Sequence, residues 1–150
     1  MTPRVARLFD DYALAHRSRG NRVCHSIGIP LIVLSVVLAL AAVPLGGGIT
    51  AAEPVVALVA ILAIAGDPVG GALFLVFAGA CDAAARVLVS AGGVRLALPV
   101  AALLFAVGWT FQIVGHSVFE KNRPAFARNL RHLLIGPLWV VRKAVGRGTR

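Results

Sequence analysis

A chain of 150 residues, 59% hydrophobic and only 14% charged, has room for one domain and too little polar surface to coat it, which excludes an ordinary water-soluble globular protein. The formal net charge of +9 invites a nucleic-acid reading, but the basic residues flank apolar segments and no RNA- or DNA-binding motif accompanies them. Anionic lipid headgroups are the expected contact, and nucleic acid is not. Cys24 and Cys81 have no CxxC spacing, exclude a disulfide framework, and read as small buried residues.

The first predicted element lies in RVARLFDDYALAHRSRG, where Val5, Leu8, Phe9, Tyr12 and His16 recur at helical spacing on one face, with Asp10 and Asp11 elsewhere and Gly20 as a stop. This is an amphipathic helix for the membrane interface. The first long apolar run begins only near Ile27, too late for an ordinary cleaved signal peptide, so the first span is retained. Four spans follow, at 26–43, 51–65, 68–90 and 96–115, against the roughly 20 apolar residues that a crossing helix needs. Gly46-Gly47-Gly48, Gly66-Asp67-Pro68 and Ala91-Gly92-Gly93 separate them. The second is short enough to be a re-entrant or interfacial arm instead. Asp82 and Arg86, four apart in the third span, read as a structural ion pair. The last element, RPAFARNLRHLLIGPLWVV, starts a helix at Pro124, is interrupted at Gly136-Pro137, and offers Trp139 as an interface anchor. The expected architecture is therefore an all-α polytopic membrane bundle, one domain over residues 1–150, with about four crossing helices and an amphipathic helix at each end.

Charge orients it. Arg4, Arg7, Arg17, Arg19 and Arg22 precede the first span, only Arg86 and Arg95 lie between spans, and the remaining eight of the fifteen basic residues follow the last. The positive-inside rule then puts both termini in the cytoplasm, in a bacterial inner membrane or, in a eukaryote, the endoplasmic reticulum. With an even number of crossings, His25 at the start of the first span and His116 at the end of the fourth share one membrane face, and His16 lies just outside it. Asn21 and Glu120 are neighbours of this group or side chains that orient its ligands. Gln112, His116 and Glu120 are spaced by four and form a polar stripe if the helix is regular. Converging neutral imidazoles beside a carboxylate suit Fe(II) or Zn(II) better than Mg(II) or Ca(II). Both an all-histidine site and a two-histidine, one-carboxylate site with Glu120 are open at this point. Each histidine taken alone reads more simply as an interfacial anchor or a hydrogen-bonding residue, and Gln112 suits a hydrogen bond between helices as well as it suits contact with a substrate. His132, on the C-terminal amphipathic helix, reads as a surface or interface residue.

Two blocks are more specific. YALAHRSRGNRVCHSIGIPL (12–31) and WTFQIVGHSVFEKNRPAFARNLRHLLIGPLWV (109–140) together resemble the two signature blocks of the Mpo1-like family, matched in order, with an apolar middle that matches only in character. The resemblance implies a multi-span membrane protein that uses Fe2+ and O2 to shorten a 2-hydroxy fatty acid by one carbon, the acyl tail lying among apolar helices. It carries the family's histidines onto His16, His25 and His116, with His132 a last-ranked fourth metal candidate. Glu120, Asn21 and Gln112 are the accompanying catalytic candidates, on chemical grounds. The substrate carboxylate has Arg17, Arg19, Arg22 and Arg123 within interfacial reach, though lipid contact is the preferred role for these arginines. The competing function class is a non-catalytic membrane scaffold or small transporter whose histidines organise helix ends. A histidine-box desaturase is disfavoured, because the HxxxH and HxxHH clusters are missing.

Overall fold

Thr2 starts the first helix: its hydroxyl accepts the Val5 N–H at 3.4 Å, its own N–H reaches the Gly66 carbonyl at 2.8 Å, and α1 runs Pro3–Leu14 from there. The computed structural model describes residues 1–121 and 130–146. A short connection carrying His16 leads to Ser18, whose hydroxyl accepts the Asn21 N–H at 3.1 Å and so caps α2, Arg19–Ala41. Gly20 is therefore not a stop. It lies in the first turn of a new helix, because the Ser18 cap outweighs a glycine that takes no left-handed conformation.

Beyond α2, a small antiparallel hairpin of β1, Pro44–Gly46, and β2, Ile49–Thr50, replaces the plain loop expected at the triple glycine. Arg86 clamps it: the guanidinium donates to the Gly48 carbonyl at 3.2 Å and to Asp82 at 2.9 Å, and pairs with Glu53. Glu53 in turn accepts the Thr50 N–H at 2.9 Å. The Asp82–Arg86 pair expected from spacing is thus present, within a larger network.

Helix α3, Ala52–Gly66, is 15 residues and reaches about 22 Å against a hydrocarbon core of roughly 30 Å. The segment α4, Pro68–Val114, consists of two helical arms joined by a kink at Gly93, whose φ of 62° and ψ of −165° suit glycine alone. Ala85 and Ala97, on either side of the break, pack in one cluster with Val37, Leu38 and Ala41 of α2 and Ala52 of α3, so the two arms of α4 fold back on each other. Gly28 of α2 meets Gly108 of the second arm backbone to backbone; a Cβ on Gly28 would stand 2.7 Å from the Gly108 carbonyl oxygen. Among the described residues, Arg19–Ala41 and Pro68–Glu120 are the helices long and apolar enough to cross a membrane.

The end of α4 passes into a π-helical turn, Gly115–Glu120. Helix α5, His132–Ala144, then runs without a break through Gly136-Pro137. The expected interruption does not occur because Pro137 forfeits one hydrogen bond near the helix start, while Gly136 lets α5 settle on α1, where a Cβ would be 3.3 Å from the Tyr12 hydroxyl. The expected helix start at Pro124, and Arg123 with it, lie outside the described residues. Trp139 is not an exposed anchor: it is buried with Phe9, Tyr12, Ile135 and Leu138 in the cluster that joins α1 and α5 to Phe74 and Ala78 of α4. Arg142 fixes the far end of α5 with two 2.6 Å hydrogen bonds to Asp67, which is wholly buried in the α3–α4 corner. Cys24 and Cys81 are buried free thiols.

Candidate metal centre and adjoining cavity

The connection after α1, the start of α2 and the π-turn after α4 meet at one end of the bundle, and each delivers one histidine. His16, His25 and His116 are each 2% exposed, with ring centroids 4.3 Å apart for His16–His25 and 4.8 Å for each of the other two pairs. One ligand nitrogen from each lies within 4.8 Å of the others.

The backbone sets the tautomers. His16 Nδ1 lies 2.5 Å from the Tyr12 carbonyl and His25 Nδ1 lies 3.0 Å from the Asn21 carbonyl, in both cases four residues back. A carbonyl only accepts, so each Nδ1 carries the hydrogen and each neutral ring keeps its lone pair on Nε2. Burial keeps His16 neutral, pulling its pKa down to about 4 against the opposing effect of the Tyr12 hydrogen bond. His16 Nε2 and His116 Nδ1 are fully buried with no hydrogen-bond partner among the described residues. Each unpaired buried polar atom costs about 1–3 kcal/mol, and a shared cation removes that cost, so the donor set fits a bound metal ion.

Glu120 is used differently from the stripe expectation. A π-turn advances by five residues where an α-helix advances by four, so Gln112 and His116 line a common cavity and Glu120 does not. Its Oε1 accepts the Arg17 N–H at 2.8 Å, and its Oε2 accepts the Ser18 N–H at 3.0 Å and the Asn21 side-chain amide at 3.1 Å. Asn21, wholly buried, also donates to the Ala15 carbonyl at 3.2 Å. Glu120 and Asn21 thus brace the connection that holds His16, outside the three-imidazole group.

The cavity beside the imidazoles measures about 80 Å³. Its polar end is formed by the three histidines, Gln112 and His132, and its walls by Ile29, Ile32, Val33, Trp109, Leu133 and Pro137. The Gln112 Nε2 is buried there without a hydrogen-bond partner among the described residues. His132 is buried and lines this cavity, which corrects its reading as a surface residue, though it lies outside the three-imidazole group. Sequence reasoning gave Tyr12 and Trp109 no site role, yet both line the cavity, and Tyr12 stacks on His16 at 3.9 Å and 17°. The one signal was their presence in the two family-like blocks. Asp67 had only its place in a chain break to mark it.

An all-helical bundle, apart from one small hairpin, that buries three histidines at the head of an apolar cavity defines a class: helical proteins with a histidine site that can hold a metal. The family described as "2-hydroxy-palmitic acid dioxygenase Mpo1-like" matches residues 3–148, and the chain belongs to this Mpo1-like family. A segment of 39 residues is 51% identical to the protein named 2-hydroxy-palmitic acid dioxygenase MPO1 of Saccharomyces cerevisiae. That segment is 25% of this chain and 22% of the yeast protein's length. No solved structure matches the chain.

Proposed function

We propose that this chain is an integral membrane Fe(II)-dependent dioxygenase that shortens 2-hydroxy fatty acids by one carbon. The observation that carries the reading is the group of three buried imidazoles, two with their tautomers set by backbone carbonyls, opening on a cavity with apolar walls. Membership of the Mpo1-like family and the name of the yeast relative support the substrate class.

The overall reaction balances as one 2-hydroxy acid and one O2 giving the acid one carbon shorter, CO2 and water; the bond between C1 and C2 breaks, and four electrons pass from the substrate to O2. His16, His25 and His116 would hold a ferrous ion, which would supply the O2 chemistry when bound. The chain's own groups do the rest. His16 and His25 present Nε2 lone pairs because their Nδ1 hydrogens are committed to carbonyls. Gln112, one turn from His116, offers a buried amide donor to the substrate's carboxylate or hydroxyl. Ile29, Ile32 and Val33 keep water from the reacting end and receive the first methylenes of the tail. Glu120 and Asn21 hold His16 in place through the connection on which it rides.

In the membrane, α2, α3 and the two arms of α4 make four crossings, with both termini and the histidine site at the cytoplasmic face and basic flanks on anionic lipid. Metal analysis and an O2-uptake assay on detergent-purified protein test the reading. The wild type is expected to carry one iron per chain and to consume O2 with a 2-hydroxy fatty acid, and His116→Ala to lose both while keeping its helical circular dichroism. A metal-free wild type, inert toward 2-hydroxy acids after iron loading, would replace the enzyme with the scaffold or transporter reading.

A further inference from the structure

Resting on that reading, the question is where the alkyl tail of the substrate goes. A cavity of about 80 Å³ takes the polar head and little more, since sites that enclose a drug-sized ligand measure roughly 300–1,000 Å³. The tail must leave it.

The way out follows from helical spacing. On the second arm of α4 and the π-turn, Leu98, Ala102, Phe105, Trp109 and Gln112 recur every three or four residues and lead along one face to His116. On α2, His25, Ile29, Ile32, Val36 and Leu40 do the same. The two helices are antiparallel, as the Gly28–Gly108 and His25–His116 contacts require, so the facing stripes turn from imidazole to hydrocarbon together. One helical turn along the same two stripes from the cavity residues Ile32 and Trp109 lies an apolar groove of about 410 Å³, lined by Val36 and Leu40 on one side and Leu98, Ala102 and Phe105 on the other. Its one hydroxyl, Ser35, donates to the Ile32 carbonyl at 2.7 Å, which leaves nothing in the groove to recognise a polar ligand. Phe105 and Trp109, with ring centroids 6.0 Å apart and planes at 60°, stand at the junction. Val36, Leu98 and Phe105 are 43%, 45% and 45% exposed, so the groove opens sideways and not into the protein.

We propose that this groove between α2 and the second arm of α4 seats the alkyl tail of the 2-hydroxy acid, entering from the bilayer, with Phe105 and Trp109 at its neck and Ala102 on its floor setting the chain length accepted. Length agrees with this occupant. From His25 to Leu40 the helix rises about 22 Å, whereas the tails of one leaflet fill about half of a hydrocarbon core of roughly 30 Å. A tail of ordinary bilayer length therefore fits with its head at the imidazoles.

The test is turnover of a short-chain and a long-chain 2-hydroxy acid by wild type, Ala102→Leu and Ala102→Phe, each checked for iron content. Ala102 is exposed, so a larger side chain fills the groove without disturbing the interior. Ala102→Phe is expected to lower the long-to-short ratio of kcat/KM by about tenfold or more, the worth of two displaced methylene groups, with short-chain turnover kept. Ala102→Leu should move the ratio the same way by less. Equal losses on both substrates, or an unchanged ratio, would mean that ordinary bilayer lipid covers the groove and the proposal is wrong. A 2-hydroxy acid carrying a diazirine at its far end gives a reading independent of catalysis: label on 36–40 and 98–105 supports the groove, and label spread over all lipid-facing helices overturns it. If wild type turns over no 2-hydroxy acid, the enzyme reading fails and the labelling alone decides the groove.

Discussion

At the residue scale, two of the three site histidines are oriented by backbone carbonyls four residues back in the chain. The Tyr12 and Asn21 carbonyls fix His16 and His25, and Glu120 fixes the connection on which His16 sits. His16→Ala, His25→Ala and His116→Ala are each expected to abolish iron retention, while His132→Ala retains iron, because its ring lies outside the three-imidazole group. Metal analysis of the four proteins checks this, and equal iron loss in His132→Ala would make four histidines the ligand set. Glu120→Gln sets an amide NH2 against one of the backbone N–H groups that the carboxylate now satisfies. Iron affinity is expected to fall about 10–100-fold, as for other losses of groups that orient a ligand, and competition with a chelator measures it. The convergence of His16, His25 and His116 was legible in the sequence because residue type and span parity suffice to bring them to one face. A supporting place for Glu120 was legible too; its separation from the Gln112–His116 wall was not, because spacing of four presumes an α-helix and the π-turn changes the count.

At the scale of elements, α5 forms one wall of the cavity and is tied down at both ends. Leu133, Gly136 and Pro137 face the cavity near its start, and Arg142 grips Asp67 near its finish. Removing one partner of a buried pair leaves an uncompensated charge, so Arg142→Met is expected to cost about 3–5 kcal/mol, with the double variant Asp67→Leu/Arg142→Met recovering most of it. Denaturant titration in detergent measures both. Burial raises the Asp67 pKa, but the Arg142 hydrogen bonds outweigh it and hold the carboxyl below its ordinary 3.8. The stabilisation from a depressed carboxyl is complete above 3.8 and is lost as pH falls through the lower folded value, so wild type should weaken in that acid window. The double variant should lack this component of the acid response. None of this was visible beforehand: Gly66-Asp67-Pro68 reads as a break, and nothing local says that its aspartate waits for an arginine 75 residues on.

At the scale of the whole molecule, the chain punctuation was largely readable. The three breaks fall at the hairpin, at Asp67 and at Gly93, since glycine and proline act through backbone geometry that needs no tertiary partner. The hairpin itself and the unbroken α5 were not readable, because each depends on contacts with distant residues. The proposed orientation makes a separate prediction: reporters fused to the two termini should both read cytoplasmic, since thirteen of the fifteen basic residues flank the bundle on that side. Opposite readings would imply an odd number of crossings.

The proposed ligand set also constrains the chain as a polymer. Residues 16 and 116 are a hundred positions apart, and an ion bound to both closes most of the protein into a ring, with residue 25 as a second clasp. A cross-link of that span removes much of the freedom of the unfolded chain, in the way a disulfide does, but it opens whenever the ion leaves. Under the proposed function the ion would be a removable staple as well as a reagent: iron supply would set how firmly the His16 connection is held to the rest of the molecule, and an iron-starved copy is expected to be cut by proteases in its N-terminal segment first.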